Sequence, residues 1–394
     1  MRGNYKHVAL GDISIISSGG TPSRTNPRYW NGNIPWVKTA QIQNCAINEQ
    51  DVDEWITKEG LLESSAKMIP AGTILMAMYG QGKTRGRVSI LNFDASINQA
   101  CAAIELKKGV DRDYIYQFLL ASYSRIRALS NTGGQENLSA GLIKEIPLTL
   151  PPLSEQKAIA DLLSTWDEVI DKTEQLIHAK EKQFKRFLND LILLPTMNGK
   201  WQQVLTKSLF KERTESKRGD LPLLSITNGD GVIPRHETNR KDSSNEDKSK
   251  YLRICAGDIG YNTMRMWQGV SALSTLEGIV SPAYTVCITG ERLHPPFVAY
   301  LFKMPFMIHR FYRYSQGLTS DTWNLKYRNF CEVRMPFPSL DEQKAIAETL
   351  NAAQKEIDLL KQLLEKYKSQ KRGLMQKMLT GEWRVKPEMV MSYE

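Results

Sequence analysis

Two loops, the first rich in Gly and the second flanked by Gly260 and Gly269, carry side chains that could read the edges of nucleic-acid bases: Tyr79-Gly-Gln-Gly-Lys-Thr-Arg-Gly-Arg87 and Tyr261-Asn-Thr-Met-Arg-Met-Trp-Gln268. Arg and Lys pair with guanine edges and Gln and Asn with adenine, while Gly lets a backbone approach phosphate closely. An ordinary solvated loop has the same composition, so the elements that hold these loops must decide between the two.

Three other motifs suggest catalysis and fail on their details. Ala77-Met-Tyr-Gly-Gln-Gly-Lys-Thr84 resembles the end of a phosphate-binding loop, but Ala77 stands where the first Gly belongs, and no acidic partner strand follows. His294-Pro-Pro-Phe297 resembles the Asn-Pro-Pro-Phe motif that holds an adenine amino group, but His has no side-chain amide and no Gly-rich cofactor loop lies upstream. Glu155-Gln-Lys157 and Glu342-Gln-Lys344 look like half of a nuclease metal site, yet each opens a helical pattern with no Pro-Asp before it. No catalytic residue is therefore assigned.

The helices that follow are written twice, since Glu155-Gln-Lys-Ala-Ile-Ala160 returns unchanged as Glu342-Gln-Lys-Ala-Ile-Ala347. In the first copy Ile159, Trp166, Thr173, Lys180 and Phe187 fall seven apart beside Leu163, Ile170, Ile177, Phe184 and Leu191. In the second, Ile346, Ala353, Leu360, Tyr367 and Leu374 run beside Leu350, Ile357, Leu364, Lys371 and Met378. Seams at heptad spacing predict coiled-coil helices of roughly 38 residues, about 57 Å long, able to hold two globular bodies apart. Ser154 and Asp341 are expected N-caps, with Glu155 and Glu342 in the first turns; Pro195 is expected to stop the first helix and Gly381 to cap the second. Thr173 and Lys180 are expected to fix register or snorkel. Antiparallel and parallel pairing both suit the pattern.

The chain has 394 residues, enough for two or three domains, and its 52 Lys plus Arg against 43 Asp plus Glu give a net charge of +9, which favours an anionic partner. The five cysteines are odd in number and never form a Cys-x-x-Cys pair, and the five histidines are scattered, so neither disulfides nor a metal site is expected. The N-terminus lacks an apolar core segment and no apolar run reaches membrane-spanning length, so a soluble, cytoplasmic protein is expected.

Strand chemistry marks Ile34 to Val37, Thr73 to Met78, Val88 to Leu91 and Cys101 to Leu106, and helical spacing marks Tyr114 to Leu129. After Trp201 the plan restarts. Ala71-Gly-Thr-Ile74 corresponds to Ala256-Gly-Asp-Ile259, Tyr114 to Leu120 to Phe297 to Lys303, and Asn137-Leu138 to Asn324-Leu325. Globule, helix, globule, helix is the expected order, with a generic frame carrying two divergent inserts.

Taken together, these motifs resemble the specificity subunits of type I restriction-modification systems, the HsdS family, over nearly the whole chain. The residues that carry the resemblance are Leu150-Pro-Pro-Leu-Ser-Glu-Gln156, Met335-Pro-Phe-Pro-Ser-Leu-Asp-Glu-Gln343, Ser18-Gly-Gly-Thr-Pro-Ser23, Ile34-Pro-Trp-Val37, Asn137-Leu138 and Gly278-Ile-Val-Ser-Pro-Ala-Tyr284. The resemblance implies an α+β fold with a pseudo-twofold internal repeat, in which two mixed α/β target-recognition domains are separated by two long antiparallel coiled-coil helices. The expected boundaries are 1–150 and 196–335 for the recognition domains, 151–195 and 336–383 for the helices, and 384–394 for a tail. Each domain would read one half of a bipartite, asymmetric site in double-stranded DNA, and the helices would set the spacer. Two adenine-N6 methyltransferase subunits using S-adenosylmethionine, and a motor-nuclease using ATP and Mg, would be the partners, leaving this chain non-catalytic.

The DNA-contacting residues implied at loop level are Thr21, Ser23, Lys38, Tyr79, Gln81, Lys83, Arg85 and Gln135 in the first domain. In the second they are Asn228, Tyr261, Asn262, Arg265, Trp267, Gln268, Gln316, Thr319 and Ser320. Pairing and partner docking would fall to Ile159, Leu163, Trp166, Ile170, Ile177, Phe184, Phe187, Leu191, Ile346, Leu350, Ile357, Leu360, Leu364, Tyr367, Leu374 and Met378. Two other readings are compatible with the sequence: a specificity subunit that directs methylation only, and a coiled-coil scaffold whose globules bind protein.

Overall fold

Residues alternate faces along a strand, and the central strand Ile74–Ala77 uses the alternation to join two cores. Ile74 and Met76 enter one apolar cluster with Val88, Ile104, Tyr114 and Leu163, whereas Leu75 and Ala77 enter another with Val37, Leu91 and Ile97. A sheet buried on both faces reads as a continuous apolar run, as this one does. The structure, a computed structural model, describes residues 5–80, 82–129, 137–238, 247–319 and 322–393.

Two compact units form, Met1–Glu174 with Gln362–Glu394 and Gln175–Lys361. In unit 1 a five-stranded sheet runs in the order Ser14–Ser18, Cys101–Leu106, Ile74–Ala77, Val88–Leu91, Ala46–Ile47, antiparallel except for the last pair. Unit 2 has an antiparallel four-stranded sheet in the corresponding order Phe210–Glu212, Tyr284–Thr289, Ile259–Asn262, Ser271–Leu273. Each unit closes with a two-stranded pair that brings its first strand back to its last: Lys6–Ala9 with Pro147–Leu150, and Gln202–Leu205 with Arg334–Phe337. Expected strands and helices are present, with Tyr114 to Leu129 divided between Arg112–Ala121 and Tyr123–Ala128. The repeat read from three short matches is therefore a repeat of sheets.

The first long helix spans Leu153–Leu188 and the second Leu340–Met378. Within unit 1 Lys371 reaches Asp167, and Lys368 pairs with Glu174 at 2.7 Å. Within unit 2 Phe187 and Leu191 share a core with Ile346 and Leu350, while Lys180 pairs with Glu356 at 2.8 Å. Partner numbers fall along one helix as they rise along the other, so the pairing is antiparallel. Ile159, Leu163, Ile177, Ile346, Leu350, Ile357, Leu364 and Met378 are buried; Trp166, Ile170, Phe184, Phe187, Leu191, Leu360, Tyr367 and Leu374 are half-buried. Buried Thr173 turns its hydroxyl back to the Val169 carbonyl at 2.6 Å.

The helix ends correct three expectations. Ser154 and Asp341 lie inside the first turns, and Ser339 caps the second helix by accepting the Glu342 N–H at 3.3 Å. Pro195 does not stop the first helix, which widens into a π-turn at Asn189–Leu193 and continues through Leu194–Met197. A wide turn suits a residue that has no N–H to give and whose ring crowds the preceding turn. Gly199 (φ 68°) and Gly381 (φ 76°), both left-handed, then lead the chain out of the two helices.

The repeated Glu-Gln does more than open a helix. The Gln156 side chain accepts the Asp111 N–H at 2.8 Å and donates to the Pro151 carbonyl at 2.8 Å; Gln343 accepts the His294 N–H at 2.9 Å and donates to the Pro338 carbonyl at 3.0 Å. Asp111 and His294 are the residues just before the helices Arg112–Ala121 and Pro295–Phe302, so the same glutamine ties each globule to its long helix. Leaving one such buried amide unpaired costs about 1–3 kcal/mol. Glu155 is held by Arg384 and Tyr5, and Glu342 by Lys200 at 2.6 Å and the Trp201 indole at 3.1 Å. The carboxylates act as anchors for distant chain and not only as first-turn charges.

Candidate nucleic-acid interface

A short turn between two strands organises each globule's loops. In unit 1 the Ala100 carbonyl accepts the Met78 N–H at 2.8 Å, and the Met78 carbonyl accepts the Leu138 N–H at 3.0 Å. In unit 2 the Ala283 carbonyl accepts the Thr263 N–H at 3.0 Å, and the Thr263 carbonyl accepts the Leu325 N–H at 2.8 Å. The same relay thus ties the start of each candidate loop to Leu138 or Leu325. In unit 1 the turn also receives Gly20, whose N–H donates to the Ile97 carbonyl at 2.9 Å, while the Asn98 N–H donates to the Val37 carbonyl at 2.9 Å. A Cβ on Gly19 would lie 2.0 Å from the Ile97 carbonyl oxygen, so only Gly permits this approach.

That turn brings Thr21, Lys38 and Tyr79 into one neighbourhood. Thr21 is half-buried and its hydroxyl is bonded to Gln99, an exposed residue that no sequence motif marks. Ser23 is exposed, with its hydroxyl 2.9 Å from that of Thr25. Lys38 is bound to Glu54 and, at 3.1 Å, to Asp53; the Glu54 hydrogen bond pushes its pKa up. Tyr79 and Lys83 are exposed, and Lys83 forms no ion pair with a described residue. Arg85 is a correction to the expectation of an exposed loop side chain, since only 5% of it is exposed. The loop folds back at Gly86 (φ 82°), whose N–H donates to the Ala77 carbonyl at 2.8 Å, and this turns Arg85 inward. Gln81, Gln135 and Ser320 lie outside the described residues.

In unit 2 the structure gathers most of the expected residues around an aromatic cluster. Trp267 stands edge-on to Trp323 at 5.1 Å, and Trp323 edge-on to Tyr312 at 4.9 Å. Arg265, Gln268, Gln316 and Thr319 are exposed, and Gln316 pairs through its backbone with Asn324 beside Trp323. Asn262 spends its side-chain oxygen on the Met264 N–H at 3.0 Å, shaping the loop. Trp323 and Tyr312 are additions that spacing did not reveal, because Trp323 meets Trp267 from a distant part of the chain and Tyr312 in turn meets Trp323. Tyr261 is the second correction. It is fully buried, its ring 5.4 Å from Phe330, because strand alternation sends Ile259 and Tyr261 into the same core. Burial raises its pKa well above the usual phenol value.

Asn228 joins this face through Lys303, whose ammonium donates to the Asn228 side-chain oxygen at 2.8 Å and to the Gly269 carbonyl at 2.8 Å. Burial pulls the Lys303 pKa from 10.5 down to about 8. The folded chain then releases this proton more readily than the unfolded chain, so the group weakens folding below pH 8. That penalty is relieved as pH rises from about 8 towards 10.5. Wild type minus Lys303→Met should show this rise in urea-unfolding free energy between pH 8 and 10; a flat difference would contradict the desolvated lysine.

Among the described residues no group of three or more His, Cys, Asp or Glu could hold a metal ion, and no helix is long and apolar enough to cross a membrane. What the loops offer is amides, guanidinium groups, hydroxyls and aromatic edges on two similar frames, a donor and acceptor set suited to base edges.

Comparison with known proteins agrees with that chemistry. Residues 3–181 match the family described as type I restriction modification DNA specificity domain. As a whole the chain is similar to specificity subunits of type I restriction enzymes. The EcoR124I/EcoR124II subunit of Escherichia coli is 27% identical over 201 residues, 49% of each chain. The MjaIX subunit of Methanocaldococcus jannaschii is 27% identical, over 57% of this chain and 52% of its own. Those two matches span about half the length of the relatives. The MjaVIII subunit of the same organism is 24% identical over 97% of this chain and 94% of its own. The crystal structure of the type I S subunit from M. genitalium shares the fold, with a TM-score of 0.56 at 15% identity, covering 95% of this chain and 96% of that one.

Proposed function

We propose that this chain is the DNA-sequence specificity subunit of a type I restriction-modification complex. Each unit reads one half of a bipartite, asymmetric site in double-stranded DNA. The antiparallel helix pair sets the gap between half-sites and docks two adenine-N6 methyltransferase subunits, which use S-adenosylmethionine on an adenine flipped out of the duplex. The motor-nuclease subunits that join them require ATP and Mg. The observation that carries this reading is the duplicated relay, in which one backbone frame presents two loop sets of different sequence. Two frames with different side chains suit two different half-sites; a net charge of +9 suits a polyanion.

Binding of duplex DNA by the complex, measured across salt concentrations, tests the reading. Affinity should fall steeply and linearly in log–log form as phosphate contacts release counterions. Salt-insensitive binding, or binding of proteins alone, would favour a scaffold. Arg265 is exposed and makes no ion pair with a described residue. Its replacement in Arg265→Ala should cost about 1–3 kcal/mol and relax one base position in the second half-site. An equal loss on all sequences would make it a phosphate contact instead.

A further inference from the structure

Arg24 lies outside both loops singled out from the sequence, in the turn that follows Gly19-Gly20. Its guanidinium carbon sits over the Trp30 ring, 3.8 Å from the centroid, and 4.9 Å from that of Trp36. The two indoles meet edge-on at 5.1 Å, and each is fixed by its N–H: Trp30 donates to the Ser23 carbonyl at 3.0 Å and Trp36 to the Gly20 carbonyl at 2.9 Å. The Arg24 Nη1 donates to Glu54, whose other oxygen binds Lys38. Even so braced, the Arg24 side chain is 53% exposed.

We propose that Arg24 reads a guanine in the first half-site, giving its Nε–H and Nη2–H edge to O6 and N7 in the major groove. The inference rests on the DNA-specificity reading above and adds a specificity-determining residue to it. Glu54 takes Nη1, and the Nε and Nη2 groups have no partner among the described residues. That free edge has the two parallel donors that guanine requires and no other base matches. The Trp30 ring and Glu54 have already removed much of the rotamer freedom that an arginine loses on binding. Phosphate is the competing ligand for a guanidinium. Here the cluster's two cations, Arg24 and Lys38, are cancelled by its two carboxylates, Asp53 and Glu54, so no excess charge draws a phosphate and the carboxylates repel one.

Selection from a random pool of DNA duplexes by the whole complex, with wild type, Arg24→Lys and Arg24→Ala, tests this. Wild type should select guanine at one position of one half-site. Arg24→Ala should lose about 10- to 100-fold discrimination at that position alone. Arg24→Lys, which keeps the charge but not the fork, should fall between them. The other half-site, unchanged in every variant, reports that the variants fold and assemble. A uniform loss over all sequences with a shallower salt slope would overturn the proposal in favour of a phosphate contact, and unchanged selection would reduce the cluster to a structural brace. Wild type that selects no sequence would overturn the specificity reading itself, a result distinct from either.

Discussion

Inserting one heptad into each long helix is expected to lengthen the gap in the recognised sequence while leaving both half-sites as they are. Seven residues advance a helix by about 10.5 Å, close to three base pairs at about 3.4 Å each. Seven residues also restore the apolar seam, so Ile177 and Ile357 stay on the buried stripe of their helices. On the original site the insertion should reduce affinity towards the non-specific level, a loss of about 1000-fold or more. Selection of preferred duplexes by the variant complex measures both effects. Altered half-sites, or an unaltered gap, would contradict the role proposed for the helix pair.

The second large effect is expected from Phe330→Ala. Phe330 is fully buried, with ring centroids of Phe210 and Tyr261 at 5.4 Å, Phe302 at 5.9 Å and Tyr327 at 6.1 Å. Truncating a ring in a packed core removes its burial and leaves a cavity, costing about 3–5 kcal/mol. Few domains hold much more than about 5–15 kcal/mol in total. The loss should reach function through Leu325, buried in the same core, whose N–H joins the relay that holds the Arg265 loop. Urea unfolding should show the loss, and the complex should discriminate less in the second half-site than in the first. A loss below about 1 kcal/mol, or equal weakening of both half-sites, would contradict this path.

How much of this was legible in the sequence depends on the range of the interaction that fixed each feature. The two long helices follow from heptad spacing, and strands such as Val88–Leu91 from local apolar runs, so both were open to inspection. Pro195 misled because a π-turn, which no residue preference announces, accommodates it. Tyr261 differs from its sequence reading because a tyrosine among Asn, Arg and Gln reads as a loop residue. Its strand position, two residues from Ile259, was the signal that it faces inward. Arg85 turned inward through a fold-back at Gly86 that composition does not reveal. The relay through Ala100 and Ala283 joins backbone groups far apart in the chain and carries no side-chain signature. Nor does Arg24 announce itself, because its seat on Trp30 and Trp36 is formed by a strand that the chain reaches only after a turn. The anchoring of Glu155 by Arg384 is equally remote and leaves no trace beside the local capping signal of the repeated Glu.

Under the proposed function, this chain chooses the DNA sequence on which an adenine methyltransferase acts. The measurement that tests it most directly is a base-resolution map of N6-methyladenine in cells that carry the gene and in cells from which it is deleted. One split motif, two short half-sites around a fixed gap, should be methylated in the first and unmethylated in the second. An identical map in both, with the methyltransferase partner shown to be expressed, would contradict the claim.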